Sequence, residues 1–170
     1  MAPDHVRLCG PEPIVAHHDC SAFASGEPNL DEWLRRRALA NQTGDATRTS
    51  VVHDDGRVIA YFALAATSVA LAEAQGNFRR NMPAPVPAIL LARLALDRSY
   101  QGKGWGAALY GDAARQTLAA ADIIGARGLI THAVSDSAKG FYLAMGMAVS
   151  PLSAMTLMVT CAELRRNFGP

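Results

Sequence analysis

From Ala88 to Leu96 the chain is apolar at every position except Arg93. A strand with one wet face alternates apolar and polar residues, whereas a strand covered on both faces carries an unbroken apolar run. Pro83, Pro85 and Pro87 bound the run on one side, and Gln101-Gly102-Lys103-Gly104-Trp105-Gly106 follows on the other. It is therefore far shorter than the roughly 20 residues a helix needs to cross a bilayer, and it reads as a buried strand. A helical pattern starts at once, over Gly104–Ala121, with Leu109, Ala113 and Thr117 or Leu118 as its buried stripe. A doubly covered strand that turns on glycines into a helix belongs to an α/β architecture with helices on both faces of the sheet.

The remaining segments supply the other layers. Asn29–Asn41 is predicted helical: Leu30, Trp33, Leu34 and Ala38 share a face, and Arg35, Arg36 and Arg37 lie across or beside it. Asn29 and Glu32 have the spacing of a capping box, and Gly44 ends the pattern. β-Branched residues mark Thr47–His53 as a strand, Asp54-Asp55-Gly56 as a hairpin turn and Arg57–Val69 as the returning strand. Ala72–Pro87, with Gly76 and its prolines, is expected to be an extended loop. Gly128–Val134 and Met155–Cys161 are expected strands, separated by a short helix over Ser137–Met145 that Gly146 stops. The order is that of an α/β (α+β) chain around a mixed central sheet. With 170 residues and neither repeat nor linker, it suits a single domain, residues 1–170.

Composition narrows the setting. Half of the residues are hydrophobic but only 6% are aromatic, so the core is built from Ala, Leu, Val and Ile. Met1–Gly10 carries Asp4 and Arg7 and no apolar stretch, which argues against a signal peptide, and no apolar run would cross a membrane. Cys9, Cys20 and Cys161 show neither zinc nor disulfide spacing, so a reduced, cytoplasmic protein is expected. His5, His17, His18, His53 and His132 are dispersed, with no Cys or carboxylate at metal spacing. No metal is expected, and His132 is expected in the core rather than in a proton relay. A net charge of +1 gives no global attraction to polyanions, so a nucleic acid would have to be met by a local patch.

The glycine segment has a definite chemistry. A helix N-terminus leaves backbone N–H groups unpaired and carries partial positive charge, which suits a pyrophosphate. Gly102, Gly104 and Gly106 let a ligand approach the backbone, and Lys103 adds a charge. A P-loop would need Ser or Thr after Gly102-Lys103, and a dinucleotide fingerprint has different glycine spacing. Taken alone, the segment fits a ligand-free capping turn equally well. One strand later comes Ser137-Ala138-Lys139-Gly140-Phe141-Tyr142-Leu143-Ala144-Met145-Gly146.

This succession resembles the GNAT superfamily of acyl-CoA N-acetyltransferases, whose motif of Gln or Arg, two residues, Gly, one residue, then Gly or Ala is matched by Gln101, Gly104 and Gly106. The resemblance implies a GNAT fold in which two splayed parallel strands, Ala88–Leu96 and Gly128–Val134, hold acetyl-CoA. The backbone of Leu94, Ala95 and Leu96 would pair with the pantetheine arm. Gln101, Gly102, Lys103, Gly104, Trp105, Gly106 and Ala107 would hold the phosphates, with Ser137, Ala138 and Phe141 as further cofactor contacts. Tyr142 matches the family's general acid, a phenol placed to protonate the leaving thiolate. No residue stands out as a general base.

The resemblance extends further. Cys20–Phe23, Ser25-Gly26, Leu30–Leu34, Ala38, Asn41-Gln42, Gly44 and Arg48-Thr49 are similar to the N-terminal half of GNAT toxins from bacterial type II toxin–antitoxin modules. Pro85–Pro87, Leu91–Asp97 and Ser150-Pro151 continue it. That family acetylates the α-amine of aminoacyl-tRNA and blocks translation. It pairs with a ribbon-helix-helix antitoxin and commonly forms homodimers. Asn41, Arg48, Arg79, Arg80 and Arg93 become candidate substrate residues, with Arg35–Arg37 and Arg165-Arg166 as further basic clusters, although arginines on a solvated face are ordinary. Arg93, a charge within an apolar strand, is expected to pair with Asp97, Asp112 or substrate. Where the family carries Gly-Phe after the tyrosine helix, this chain has Gly146-Met147. An acetyltransferase of a small-molecule or protein amine, and a silent acyl-CoA-binding module, remain as alternatives.

Overall fold

A computed structural model describes residues 7–170; the first six residues, including Asp4 and His5, lie outside it. The strands are β1 (Leu8–Pro13), β2 (Arg48–Asp54), β3 (Arg57–Val69), β4 (Val86–Leu96), β5 (Gly128–His132), β6 (Ala148–Val149) and β7 (Thr156–Thr160). The helices are α1 (Pro28–Arg36), α2 (Ala38–Thr43), α3 (Gly76–Arg79), α4 (Trp105–Ile123), α5 (Asp136–Ala144) and α6 (Cys161–Phe168). The strands form one mixed sheet of seven in the order β1-β2-β3-β4-β5-β7-β6. β4 and β5 run parallel, with Ile89 to Leu91 opposite Leu129 to Thr131, while β1–β2, β5–β7 and β6–β7 are antiparallel. β5 stops at His132, one residue beyond that register, and β4 continues to Leu96. Among the described residues no helix is long and apolar enough to cross a membrane.

The chain divides into two compact units. One holds the described residues up to Ala63 together with Arg93–Leu109, and the other holds Leu64–Ala92 with Tyr110–Pro170. In the first, Phe23, Leu30, Leu34, Val51 and Tyr61 form the core. Trp33 stacks on the Tyr61 ring at 5.9 Å, and the Tyr61 hydroxyl donates to Leu30 O at 2.7 Å. In the second, Val69, Phe78, Val86, Ile130 and Met158 form the core.

Several predicted boundaries are corrected. Asn29–Asn41 is two helices broken at Arg37, whose φ and ψ of −122° and −31° leave the helical region. The Asn29–Glu32 capping box does not form. Pro28 takes the first helical turn, and the buried Asp31 carboxylate accepts from Ser25 N and Ser25 Oγ, at 3.0 and 2.6 Å. The Ala72–Pro87 loop contains α3, and Pro87 lies inside β4. The edge strands β1 and β6 have no strand pattern in the sequence, and β1 carries two prolines and a bulge. Met155–Cys161 is also corrected, because β7 ends at Thr160, which caps α6 through a reciprocal pair with Glu163.

Candidate active site

The glycine turn is held from behind. Where β4 ends, Asp97 N donates to Ile59 O at 2.8 Å, and the Asp97 carboxylate accepts from Ser99 N and Ala24 N, both at 3.0 Å. Burial raises the Asp97 pKa, but these N–H donors outweigh it and hold the carboxyl below its ordinary value. Gln101 then folds its side chain back: Nε2 donates to Leu96 O and to Ser25 O, each at 2.7 Å. Gly102 and Gly104 sit at φ +75° and +85°, and a Cβ at either would meet nothing within 4 Å. Their requirement for glycine is therefore conformational, and the space above the turn is open. The Lys103 ammonium donates to Ser99 O at 3.4 Å, and Trp105, 42% exposed, sets its ring edge-on to Tyr100 at 6.5 Å.

α4 begins at Trp105, and Ala108 N donates to Gly104 O. The N–H groups of Trp105, Gly106 and Ala107 thus have no carbonyl of the helix to pair with, as at any helix start. Gly106 is half-buried and Ala107 exposed; upstream, Leu94 and Leu96 are half-buried and Ala95 is buried.

Tyr142 lies on α5, whose N-cap Ser135 accepts from Ala138 N at 3.1 Å. The tyrosine is 6% exposed, with its ring 5.3 Å from Phe141 and 6.3 Å from Tyr110. Burial raises its pKa, and a hydrogen bond with the Thr131 side chain acts in the opposite direction. A phenol kept neutral in this way is a proton donor at physiological pH. Ser137 is exposed on the same helix, Ala138 is half-buried, and a Cβ at Gly140 would meet nothing within 4 Å.

The substrate candidates fall in different places. Asn41, on α2, accepts at its carbonyl from Ala46 N and Thr47 N, at 2.9 and 3.3 Å. Arg48 donates to Gln42 O at 2.9 Å and pairs with Asp45 at 2.7 Å, so its guanidinium braces the loop after α2. Arg79 and Arg80 are exposed and line a groove of about 510 Å3 with Gln75, Val149 and Pro151. Arg93 lays its guanidinium over the Trp33 ring, 5.1 Å from the centroid. Of the carboxylates expected for it, Asp97 accepts from backbone N–H groups and Asp112 pairs with Arg115 at 2.8 Å. His132 corrects another expectation: it ends β5 exposed, with Nδ1 2.9 Å from Thr156 Oγ1.

The histidines are not all dispersed. His18 Nε2 and His53 Nε2 converge on Glu12 Oε1 at 2.9 and 2.6 Å, a grouping of metal-ligand type. Hydrogen bonding argues against a metal there. His18 Nδ1 accepts from Val15 N and His53 Nδ1 from Gly56 N, at 3.0 and 2.9 Å. Each neutral ring must then carry its proton on Nε2 and donate it to Glu12, whereas metal-bound imidazoles donate from the other nitrogen. The two donated bonds hold the Glu12 pKa below its ordinary value.

A mixed sheet in which a doubly covered strand turns on glycines into a helix, followed by a strand and a short helix with a buried phenol, is the GNAT acetyltransferase fold. A solved tyrosine-to-phenylalanine mutant of KacT superposes with a TM-score of 0.83 at 25% identity, covering 89% of this chain and 93% of that one. AtaT complexed with acetyl-methionyl-tRNAfMet gives 0.85 at 24% identity, covering 95% and 98%. No family model matches the sequence. A curated relative, the tRNA-acetylating toxin of Mycobacterium tuberculosis, is 46% identical over 159 residues, 94% of this chain and 96% of that protein. The chain belongs to the family of tRNA-acetylating toxins.

Proposed function

We propose that this chain is an N-acetyltransferase toxin, a single domain over residues 1–170, that moves the acetyl group of acetyl-CoA onto the α-amine of aminoacyl-tRNA and so blocks translation. The observation that carries this reading is the 46% identity with a tRNA-acetylating toxin along nearly the whole of both chains. Structural neighbours point the same way: AtaT is solved with acetyl-methionyl-tRNAfMet, and AtaTR is solved bound with AcCoA.

The proposed roles follow from the local geometry. Gln101 braces the turn while Gly102, Lys103, Gly104, Trp105, Gly106 and Ala107 present N–H groups and a positive helix end to the pyrophosphate. The backbone of Leu94, Ala95 and Leu96 pairs with the pantetheine as an added strand. Ser137, Ala138 and Phe141 complete the cofactor contacts. The acceptor amine attacks the thioester carbonyl, the C–S bond breaks, and the Tyr142 hydroxyl gives its proton to the departing sulfur. An α-amino group titrates at about 7.7–8.0, so a useful fraction arrives neutral and no strong base is required. Asn41, Arg48, Arg79, Arg80 and Arg93 are the proposed acceptor-side residues. AtaT is solved bound to the C-terminus of the antitoxin AtaR; for this chain we propose a ribbon-helix-helix antitoxin, a homodimer and a cytoplasmic location.

The deciding experiment is incubation with radiolabelled acetyl-CoA and total charged tRNA. The label is expected on the aminoacyl ends, lost when the ester bond is hydrolysed. Charged tRNA that stays unlabelled, while free amines or proteins take up the label, would overturn the substrate assignment.

A further inference from the structure

The unit that holds Leu64–Ala92 and Tyr110–Pro170 carries a second basic concavity beside the groove of Arg79. Arg80, Arg127 and Arg166 line a groove of about 190 Å3 between α3 and α6. The three guanidinium groups are not alike. Arg127 is half-buried and fixed: its N donates to Pro87 O and its O accepts from Cys161 N, both at 2.8 Å. Its guanidinium donates to Phe78 O at 3.2 Å and to Asn77 O at 2.5 Å. An arginine has five N–H donors and two are used here, so three remain for a ligand. Arg80 and Arg166 are exposed, and among the described residues neither side chain has a hydrogen bond or an ion pair. The one carboxylate at the groove, Glu163, accepts from Thr160 N at 3.3 Å and from Asn77 Nδ2 at 3.5 Å, so it serves the cap of α6 rather than a guanidinium.

Three positive charges against one committed negative charge suit an anion, and the lining tells which kind. Ala162 is the one apolar residue there among the described residues, so the groove lacks the apolar or aromatic pockets that anchor a protein segment. Arginine forks match phosphate oxygens two at a time, and a guanidinium already held by its own chain loses little freedom on binding. Arg80 also lines the larger groove that holds Arg79, so the two concavities share a side chain and form one basic track. A single anion needs one such seat; a track of them suits a polymer of phosphates. We infer that this track seats the phosphodiester backbone of tRNA, with Arg127 and Arg166 as contacts beyond Arg79 and Arg80. The inference rests on the aminoacyl-tRNA reading and deepens it: Arg127 and Arg166 hold the body of the tRNA and take no part at the reacting atoms. Backbone contacts fix register and carry no sequence information. The track therefore separates a tRNA-borne amine from a free one, and not one tRNA from another.

The test measures binding of deacylated total tRNA by filter retention across a salt series, with acetylation of charged tRNA beside it and thermal melting as the check on folding. Arg166→Glu is expected to weaken tRNA binding roughly tenfold or more and to flatten the slope of log affinity against log salt by about one. KM for charged tRNA should rise in parallel, with kcat and KM for acetyl-CoA little changed. Arg127→Lys keeps a charge but gives up the fork, and should bind tRNA more weakly than wild type. Arg115→Glu makes the same change of charge outside the groove and should bind as wild type does. If Arg166→Glu does not fold, Arg166→Ala is measured in its place. Unchanged affinity and salt slope in the folded Arg166 variant overturn the inference and leave the acetyltransferase reading standing. An equal loss in Arg115→Glu overturns it too, since net charge is then the agent. A polyglutamate peptide that binds wild type but not Arg166→Glu, with tRNA binding intact in both, overturns it in favour of an acidic protein segment. Arg166-dependent tRNA binding by a wild type that leaves charged tRNA unlabelled keeps the track and overturns the acetylation reading instead.

Discussion

Gln101 supports two backbone carbonyls with one amide. Its Nε2 donates to Leu96 O at the end of β4 and to Ser25 O ahead of α1, both at 2.7 Å. Only a donor serves there. Gln101→Glu, nearly isosteric, would place a carboxylate against two carbonyl oxygens, so it should raise KM for acetyl-CoA more than Gln101→Ala does and melt lower. If the Glu variant matches wild type in both, the side chain does not hold the turn. Tyr142→Phe tests the chemistry instead. Acid–base assistance contributes about 10²–10⁴-fold, so kcat should fall on that order while acetyl-CoA binding, followed by calorimetry, is retained. Loss of binding would make Tyr142 a cofactor contact rather than the acid. At this scale the sequence was informative where a residue type is geometrically special: Gly102 and Gly104 take the positive φ that a glycine turn calls for. It was silent on the clasp of Glu12, His18 and His53, because Glu12 and His53 meet only after β1 and β2 have paired.

Among the elements, those with strong local signals were legible and those defined by their neighbours were not. The apolar run of β4, the Asp55-Gly56 turn between β2 and β3, and the glycine stop after α5 can be read directly. β1 and β6 exist because a neighbouring strand offers free ladder positions. Their own residues, with two prolines in β1 and two residues in all in β6, carry no strand pattern. α6 is the instructive miss. Thr160 and Glu163 spell the capping box that its structure uses, yet the apolar run of the strand before it continues into Cys161 and masks the start of the helix. Thr160→Ala should cost about 1 kcal/mol and lower the denaturation midpoint with the slope unchanged. A neutral result would mean that packing of Cys161 and Leu164 alone holds the helix.

For the whole molecule, acid is the informative perturbation. Glu12 and Asp97 both have pKa values lowered in the folded state, Glu12 by its two imidazole donors and Asp97 by N–H groups acting against burial. A depressed carboxylate contributes stability that is present above its unfolded value and is lost as pH falls through the folded one. Stability should therefore drop below roughly pH 4.5, less steeply in Glu12→Gln than in wild type by urea unfolding across that range; equal slopes would remove Glu12 from the account. The tautomers assigned to His18 and His53 carry their own check. Neither zinc nor a chelator should move the melting temperature, and a rise of several degrees with zinc would show that the Nε2 lone pairs are available after all.

Thr160 closes β7 and caps α6, so a strand passes into a helix with no residue between them. Such a joint has no slack in length. One residue inserted between Thr156 and Cys161 would turn strand side chains to the opposite face and swing the helix by about 100°, withdrawing Cys161 and Leu164 from their buried positions. The exposed link at Gly125, where added atoms meet nothing, imposes no such phase. The permitted lengths of related chains are thus set by geometry: insertions and deletions should be tolerated near residue 125 and purged at the β7–α6 joint, a contrast that a one-residue insertion library scored for soluble expression would display.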